Sequence, residues 1–295
     1  GVTNGQVELP LGLDEPRIAL SDAAVQLAWQ QDGDQLTVKF NQGRVANDDL
    51  AGEFSGQWKT GTAEHRLPGV LDLTASISRG KASEVHRYLP NTLPESVRDY
   101  VRQAVQGGSV SKTSLRIKGD LTQLPFIEPQ LGELHIVTQV AQGRYAYVPP
   151  KAKTPQAKTA NWPALTDING ELTFDRAGLS FKGTTRLDAA PNVAWQKVEA
   201  QVDDLAQPRV KVSGQARGPL DEIMQMVSKS ALNDLMDNAL DKAQGNGVAD
   251  YTLALDLPID ALEKSKVSGT VTFSGNDLQA IAGTPVLSRA AGVLE

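Results

Sequence analysis

Apolar side chains recur at every second residue along most of this chain, and that period limits what the chain can fold into. It runs through Val25, Leu27 and Trp29, through Leu36, Val38 and Phe40, and through Phe54 and Trp58 around Gly56. Leu71, Leu73, Ala75 and Ile77 follow, then Leu115 and Ile117, then Leu134, Ile136 and Val140. The second half adds Leu172 and Phe174, Leu179, Phe181 and Leu187, Val198, Ala200 and Val202, and Val210 and Val212. Tyr251, Leu253, Leu255, Leu257 and Ile259 form the clearest run, and Val267, Val271 and Phe273 close the series. Alternate residues of a strand point to opposite faces of its sheet, so this pattern predicts about thirteen two-faced strands. The intervening residues are mostly Thr, Ser, Lys, Gln, Asp and Arg, as in an antiparallel sheet with one dry and one wet side. Asp32-Gly33, Asn169-Gly170 and Ala177-Gly178 have the composition of hairpin turns.

Two segments switch to helical spacing. Val97, Tyr100, Val101, Ala104 and Val105 predict a helix over about 93–106. Thr92 with Glu95 as a capping box, or Pro94 in the first turn, would open it, and Gly107-Gly108 would stop it. Ile223, Met226, Val227, Ala231, Leu235 and Ala239 predict a second helix over about 220–243, its stripe widened by Leu232, Met236 and Leu240. Each helix leads through glycine into an amphipathic strand that ends in Leu-Pro followed by Phe126 or Ile259, a loose repeat. Residues 149–163 are rich in Pro, Lys, Ala and Thr and predict a loosely packed loop at a repeat boundary. Gly1 stands where a complete chain would carry Met, and Leu294-Glu295 reads as a cloning remnant. Residues 1–295 are therefore expected to be one elongated segment excised from a longer protein.

Composition narrows the function. With 29 basic against 35 acidic residues, the net charge is −6, and no basic block long enough for a phosphate backbone occurs, so nucleic acid is not an expected partner. The absence of cysteine excludes disulfides and thiol chemistry. No apolar run approaches the roughly 20 residues of a membrane-spanning helix. His65, His86 and His135 are isolated in sequence, and no nucleophile elbow, phosphate loop or calcium loop occurs. Asp48-Asp49 and Asp203-Asp204 read as turn residues. No enzyme and no cofactor or metal is expected.

The open question at this level is what covers the dry face. Strands about 4.8 Å apart would make a sheet on the order of 60 Å long, more than two helices can cover. Two sheets could stack, the sheet could close into a barrel, or it could curl into an open trough that receives apolar ligands. Glycines within strands, at Gly52, Gly56 and Gly183, would permit strong coiling.

The segment HRYLPNTLPESVRDYVRQAVQGGSVSKTSLRIKGDLTQLPF (86–126) resembles the AsmA-like family of Gram-negative envelope proteins, and ARGPLDEIMQMVSKSALNDLMDNALDKAQGNGVADYTLALDLPI (216–259) resembles a second such cassette. The resemblance implies a mainly β fold: a long, strongly curled antiparallel sheet forming an open groove, with two accessory helices. It also implies a periplasmic segment of a parent protein anchored in the inner membrane, shielding phospholipid acyl chains on their way to an outer-membrane or periplasmic partner. The expected lipid-lining residues are Leu27, Val38, Phe54, Leu73, Leu115, Ile117, Ile136, Phe174, Phe181, Val202, Val212, Leu253, Leu255, Val271 and Phe273, with no assignment at position 200. Val97, Val101, Ile223, Val227 and Leu235 would cover the groove from the helices, with Met224, Met226 and Met236 as adaptable contacts. The alternative is a non-catalytic β-rich envelope scaffold or glycan-binding module, which would display an aromatic row on its wet face. Trp29, Trp58 and Trp195 instead follow the apolar registers, and Trp162 falls in the predicted loop.

Overall fold

A computed structural model describes residues 1–8, 17–62, 66–91, 93–149, 162–230, 243–279 and 284–295. Fifteen strands among them form a single sheet: β1 (Val2–Glu8), β2 (Arg17–Asp32), β3 (Gln35–Ala46), β4 (Leu50–Lys59), β5 (Val70–Lys81), β6 (Val105–Asp120), β7 (Gly132–Tyr145), β8 (Leu165–Asp175), β9 (Gly178–Leu187), β10 (Ala190–Val202), β11 (Arg209–Pro219), β12 (Gln244–Asn246), β13 (Val248–Pro258), β14 (Lys266–Gln279) and β15 (Leu287–Leu294). Helix α1 (Glu95–Ala104) lies between β5 and β6, and α2 (Leu220–Ser228) lies between β11 and β12.

From β1 to β11 each strand pairs antiparallel with the next in sequence; β13 and β14 follow, and β12 and β15 both pair with β14. The ladder is therefore a continuous meander. Because consecutive strands alternate direction, α1, α2 and the connection between β7 and β8 all emerge at one end of the sheet. The turn after β6 (3-10 turn Leu121–Gln123) and the turn after β13 (Ile259–Lys264) lie at the other end.

This topology corrects the expected fold. The sheet is neither strongly curled nor closed: among the described residues β1 pairs only with β2, and no pairing joins the first strands to the last. Apolar side chains near both edges stand open, with Leu27 55%, Trp29 74% and Val267 68% exposed. Alternation dictates two faces, whereas curvature and closure depend on twist summed over many strands and on what happens at the edges. The strand glycines do not serve coiling but close approach. A Cβ on Gly52 would lie 2.5 Å from the Ser76 carbonyl oxygen, and one on Gly56 would lie 2.1 Å from that of Asp72.

Other boundaries shift as well. Asn169-Gly170 lies inside β8, not at a turn; the hairpin to β9 turns at Arg176-Ala177. The N-cap of α1 is Pro94, without a side-chain cap bond, while Thr92 is outside the described residues. Gly107-Gly108 belongs to β6, where a Cβ on Gly108 would lie 2.6 Å from Gly143 Cα. Helix α2 runs over Leu220–Ser228 with Lys229 as its C-cap; Ala231, Leu232, Leu235, Met236, Ala239 and Leu240 of the expected stripe lie outside the described residues, as do His65 and residues 150–161 of the predicted loop. Leu294 is the register partner of Val271 in β15.

The principal buried cluster sits at one end of the ladder. Leu220, Met224, Met226 and Val227 of α2 pack with Ala190, Val193, Ala216, Ala249 and Tyr251 of the sheet. A second fixed point joins the turn after β3 to the 3-10 turn Ala82–Tyr88. There the buried Asp49 carboxylate accepts from Arg87 and from Tyr88 Oη (3.1 Å), and Asn47 Nδ2 donates to Tyr88 Oη at 2.9 Å. An unpaired carboxylate would be costly here, and the arginine and hydroxyl supply its partners.

Candidate functional site: the apolar face

Register places the expected lining residues on one face. Phe54, Ala75, Leu115, Ile136, Phe174, Leu179, Val202, Val210 and Leu257 are successive cross-strand partners from β4 through β13. Two residues along, Leu172, Phe181, Ala200, Val212, Leu255 and Val267 make a parallel row from β8 to β14. On the other side Leu27, Phe40, Gly56, Leu73, Ile117 and Leu134 align from β2 to β7, with Trp29, Val38, Trp58 and Leu71 beyond them. Leu253 and Val271 fall on the same face through the pairs Leu253–Gly269 and Tyr251–Val271, and Phe273 is two residues beyond Val271. Directly paired residues share a face because the pleats of neighbouring strands are in phase.

Most of these side chains are half-buried; Val202 is buried and Leu27 exposed. The rows cover one another laterally, but among the described residues no second sheet lies over them. Among the described residues α2 adds most of a layer, with Val227 buried in the cluster and Ile223 packed against it; Met224 and Met226 are buried there too. Helix α1 contributes less: Ala104 is buried and Val101 half-buried, but Val97 is 43% exposed. Tyr100 Oη meets Tyr145 Oη at 2.7 Å, tying α1 to the end of β7. Leu235 lies outside the described residues.

The opposite face is polar and charge-paired across strands. Arg116 pairs with Asp72 and, at 3.5 Å, with Glu133; Lys182 lies 3.4 Å from Glu199, Lys211 3.0 Å from Asp203, and Arg209 2.6 Å from Asp256. Hydrogen bonding from Lys211 holds the Asp203 carboxyl below its ordinary range, and Arg209 does the same for Asp256. Such exposed pairs add little stability but keep this face wet.

Bulges keep the apolar face continuous, and alternation read as unbroken runs missed them. Extra residues interrupt β3 after Phe40, β6 after Ser111, β7 after Val140, β8 after Thr166 and β10 after Gln196. At each stands a non-glycine residue in the left-handed region: Gln42, Lys112, Gln142, Asp167 and Lys197, with φ between 48° and 52°. Each bulge changes the parity of inward residues, so Val193 and Trp195 share a face with Val198, Ala200 and Val202. The signal in the sequence is this phase slip. Trp29, Trp58 and Trp195 stand in the apolar registers, and Trp162 meets Tyr147 edge-on at 6.1 Å between ring centres, so no aromatic row marks the wet face.

Among the described residues no group of three His, Asp or Glu could hold a metal. No helix there is long and apolar enough to cross a membrane. His86 Nδ1 lies 2.9 Å from the Ser83 carbonyl oxygen, Asp49 serves the buried junction described above, and Asp204 Oδ1 accepts from the Ala206 amide in a turn.

The family model described as YhdP protein matches residues 3–295. The chain belongs to the YhdP family. The intermembrane phospholipid transporter YhdP of Escherichia coli (strain K12) is 25% identical to it over 209 residues. That alignment covers 70% of this chain and 15% of the transporter, so this YhdP-family chain spans a small part of its curated relative. No solved structure matches it.

Proposed function

We propose that this chain is a periplasmic stretch of an inner-membrane-anchored protein that moves phospholipid toward the outer membrane, and that its apolar face receives the acyl chains. The observation that carries this reading is the half-covered apolar face, continuous in register across the sheet and backed by a charge-paired polar face. Its relation to a protein named as an intermembrane phospholipid transporter supplies the substrate class.

A bilayer lipid with about 30 methylenes would face a barrier on the order of 20 kcal/mol if its tails crossed water. Aliphatic rows repeated from strand to strand offset most of that cost without one deep well to arrest movement. The charged headgroup stays in water, which avoids burying it. Helix α2 shields one end of the face.

The test is photocrosslinking in cells, with a photoreactive residue placed singly at Leu115, Phe181, Leu255 and Phe273, and at Lys182 and Lys211 on the opposite face. Lipid adducts are expected at the first four positions and not at the two lysines. Folded, expressed variants that give no adduct at any of the four would overturn the reading.

A further inference from the structure

The polar face carries a recess that acyl-chain binding does not use. It lies at the end of the sheet away from the helices, where β6, β7 and β8 turn, and its volume is about 500 Å3. Lys118, Glu133, His135, Asp175 and Arg176 line it beside the connection at 129–131. Both lining carboxylates are already engaged. Arg116 lies 3.5 Å from Glu133, and Arg176 Nη1 donates to Asp175 at 2.9 Å. The cationic donors are less committed: among the described residues Lys118 and His135 form no side-chain hydrogen bond or ion pair. Arg176 Nε is buried without an acceptor. A buried N–H left unpaired carries a desolvation cost.

We propose that this recess binds a phosphate-bearing anion, with Lys118, His135 and Arg176 as its donors. A planar guanidinium beside an ammonium suits a tetrahedral oxyanion. The volume falls within the roughly 300–1,000 Å3 of small-molecule sites, which leaves room for a glycerol- or sugar-sized body beside the phosphate. The site sits on the face opposite the acyl-chain surface and stands or falls independently of it. Its phosphate can belong to a free small molecule or to a lipid headgroup.

Two arms distinguish these sources: calorimetric titration of the 295-residue chain with glycerol 3-phosphate, and co-flotation with phosphatidylglycerol vesicles. Saturable binding is expected in at least one arm, weakened about tenfold or more by Lys118→Gln and by Arg176→Gln. Lys182→Gln, at a same-face lysine paired with Glu199 at 3.4 Å, leaves it unchanged. Circular dichroism checks the fold; if Arg176→Gln disrupts its hairpin, Lys118→Gln and His135→Asn carry the test. Binding of glycerol 3-phosphate assigns a free ligand, and binding to vesicles alone assigns a headgroup. No saturable binding in either arm, or binding indifferent to Lys118→Gln and His135→Asn, overturns the site.

Discussion

Gly183 shows how closely the backbones of β8 and β9 approach. A Cβ there would lie 2.1 Å from the Asn169 carbonyl oxygen and 2.8 Å from Gly170 Cα, both backbone atoms with little freedom to retreat. Gly183→Ala is expected to destabilise by about 1–3 kcal/mol, read from the urea midpoint. Gly107→Ala, whose nearest neighbour is 3.8 Å away, is expected to be neutral or slightly stabilising in the same measurement. Tyr251 raises a different point. Burial pushes its phenol up to about 12, against an ordinary value of 10.0. The unfolded chain therefore ionises first. The contribution of Tyr251 is intact below pH 10 and falls between about pH 10 and 12, by at most about 1.4 kcal/mol per pH unit. Tyr251→Phe is expected to make that alkaline decline shallower, measured as denaturation midpoints across the interval.

At the level of elements, α2 differs from α1 in what it holds down. Leu220, 4% exposed, sits at the start of α2 within the main buried cluster. Leu220→Ala is expected to cost about 2–4 kcal/mol, as other buried leucine truncations do. Amide exchange is expected to accelerate in α2 and neighbouring β13 and to stay unchanged in β5–β7, because α2 packs at one end of a long ladder. Equal acceleration throughout would show a single cooperative unit instead. Both helices show a 3.6-residue period in the sequence; beyond Ser230 the apolar stripe of the second falls outside the described residues. The bulges, by contrast, were hidden. An extra residue looks like one polar position among many until the register on both sides is known.

For the whole molecule, the decisive property is that one face is apolar from strand to strand while, among the described residues, no second sheet covers it. Leu115→Asp together with Phe181→Asp places two charges on that face at half-buried positions. The double variant is expected to keep its strand content by circular dichroism and to lose most co-purifying lipid by mass spectrometry, whereas Lys182→Gln with Lys211→Gln retains it. Undiminished lipid in a folded Asp variant would place the acyl chains elsewhere. The shared facing of Leu115, Ile136, Phe174 and Val202 was readable because alternation records facing directly, and register put them on one side. The recess around Lys118, His135 and Arg176 was not readable: His135 stood alone in sequence, and its neighbours come from three strands.

Between bulges, side-chain facing was determined by the sequence alone, since the pleat repeats every two residues whatever the sheet does globally. That is why a dry wall and a wet wall could be assigned before any strand was paired. Tertiary structure decided that the sheet stays open and uncurled, where bulges reset its phase, and which distant polar groups meet. Those outcomes depend on twist accumulated across strands and on contacts between residues far apart in the chain, neither of which a local period encodes.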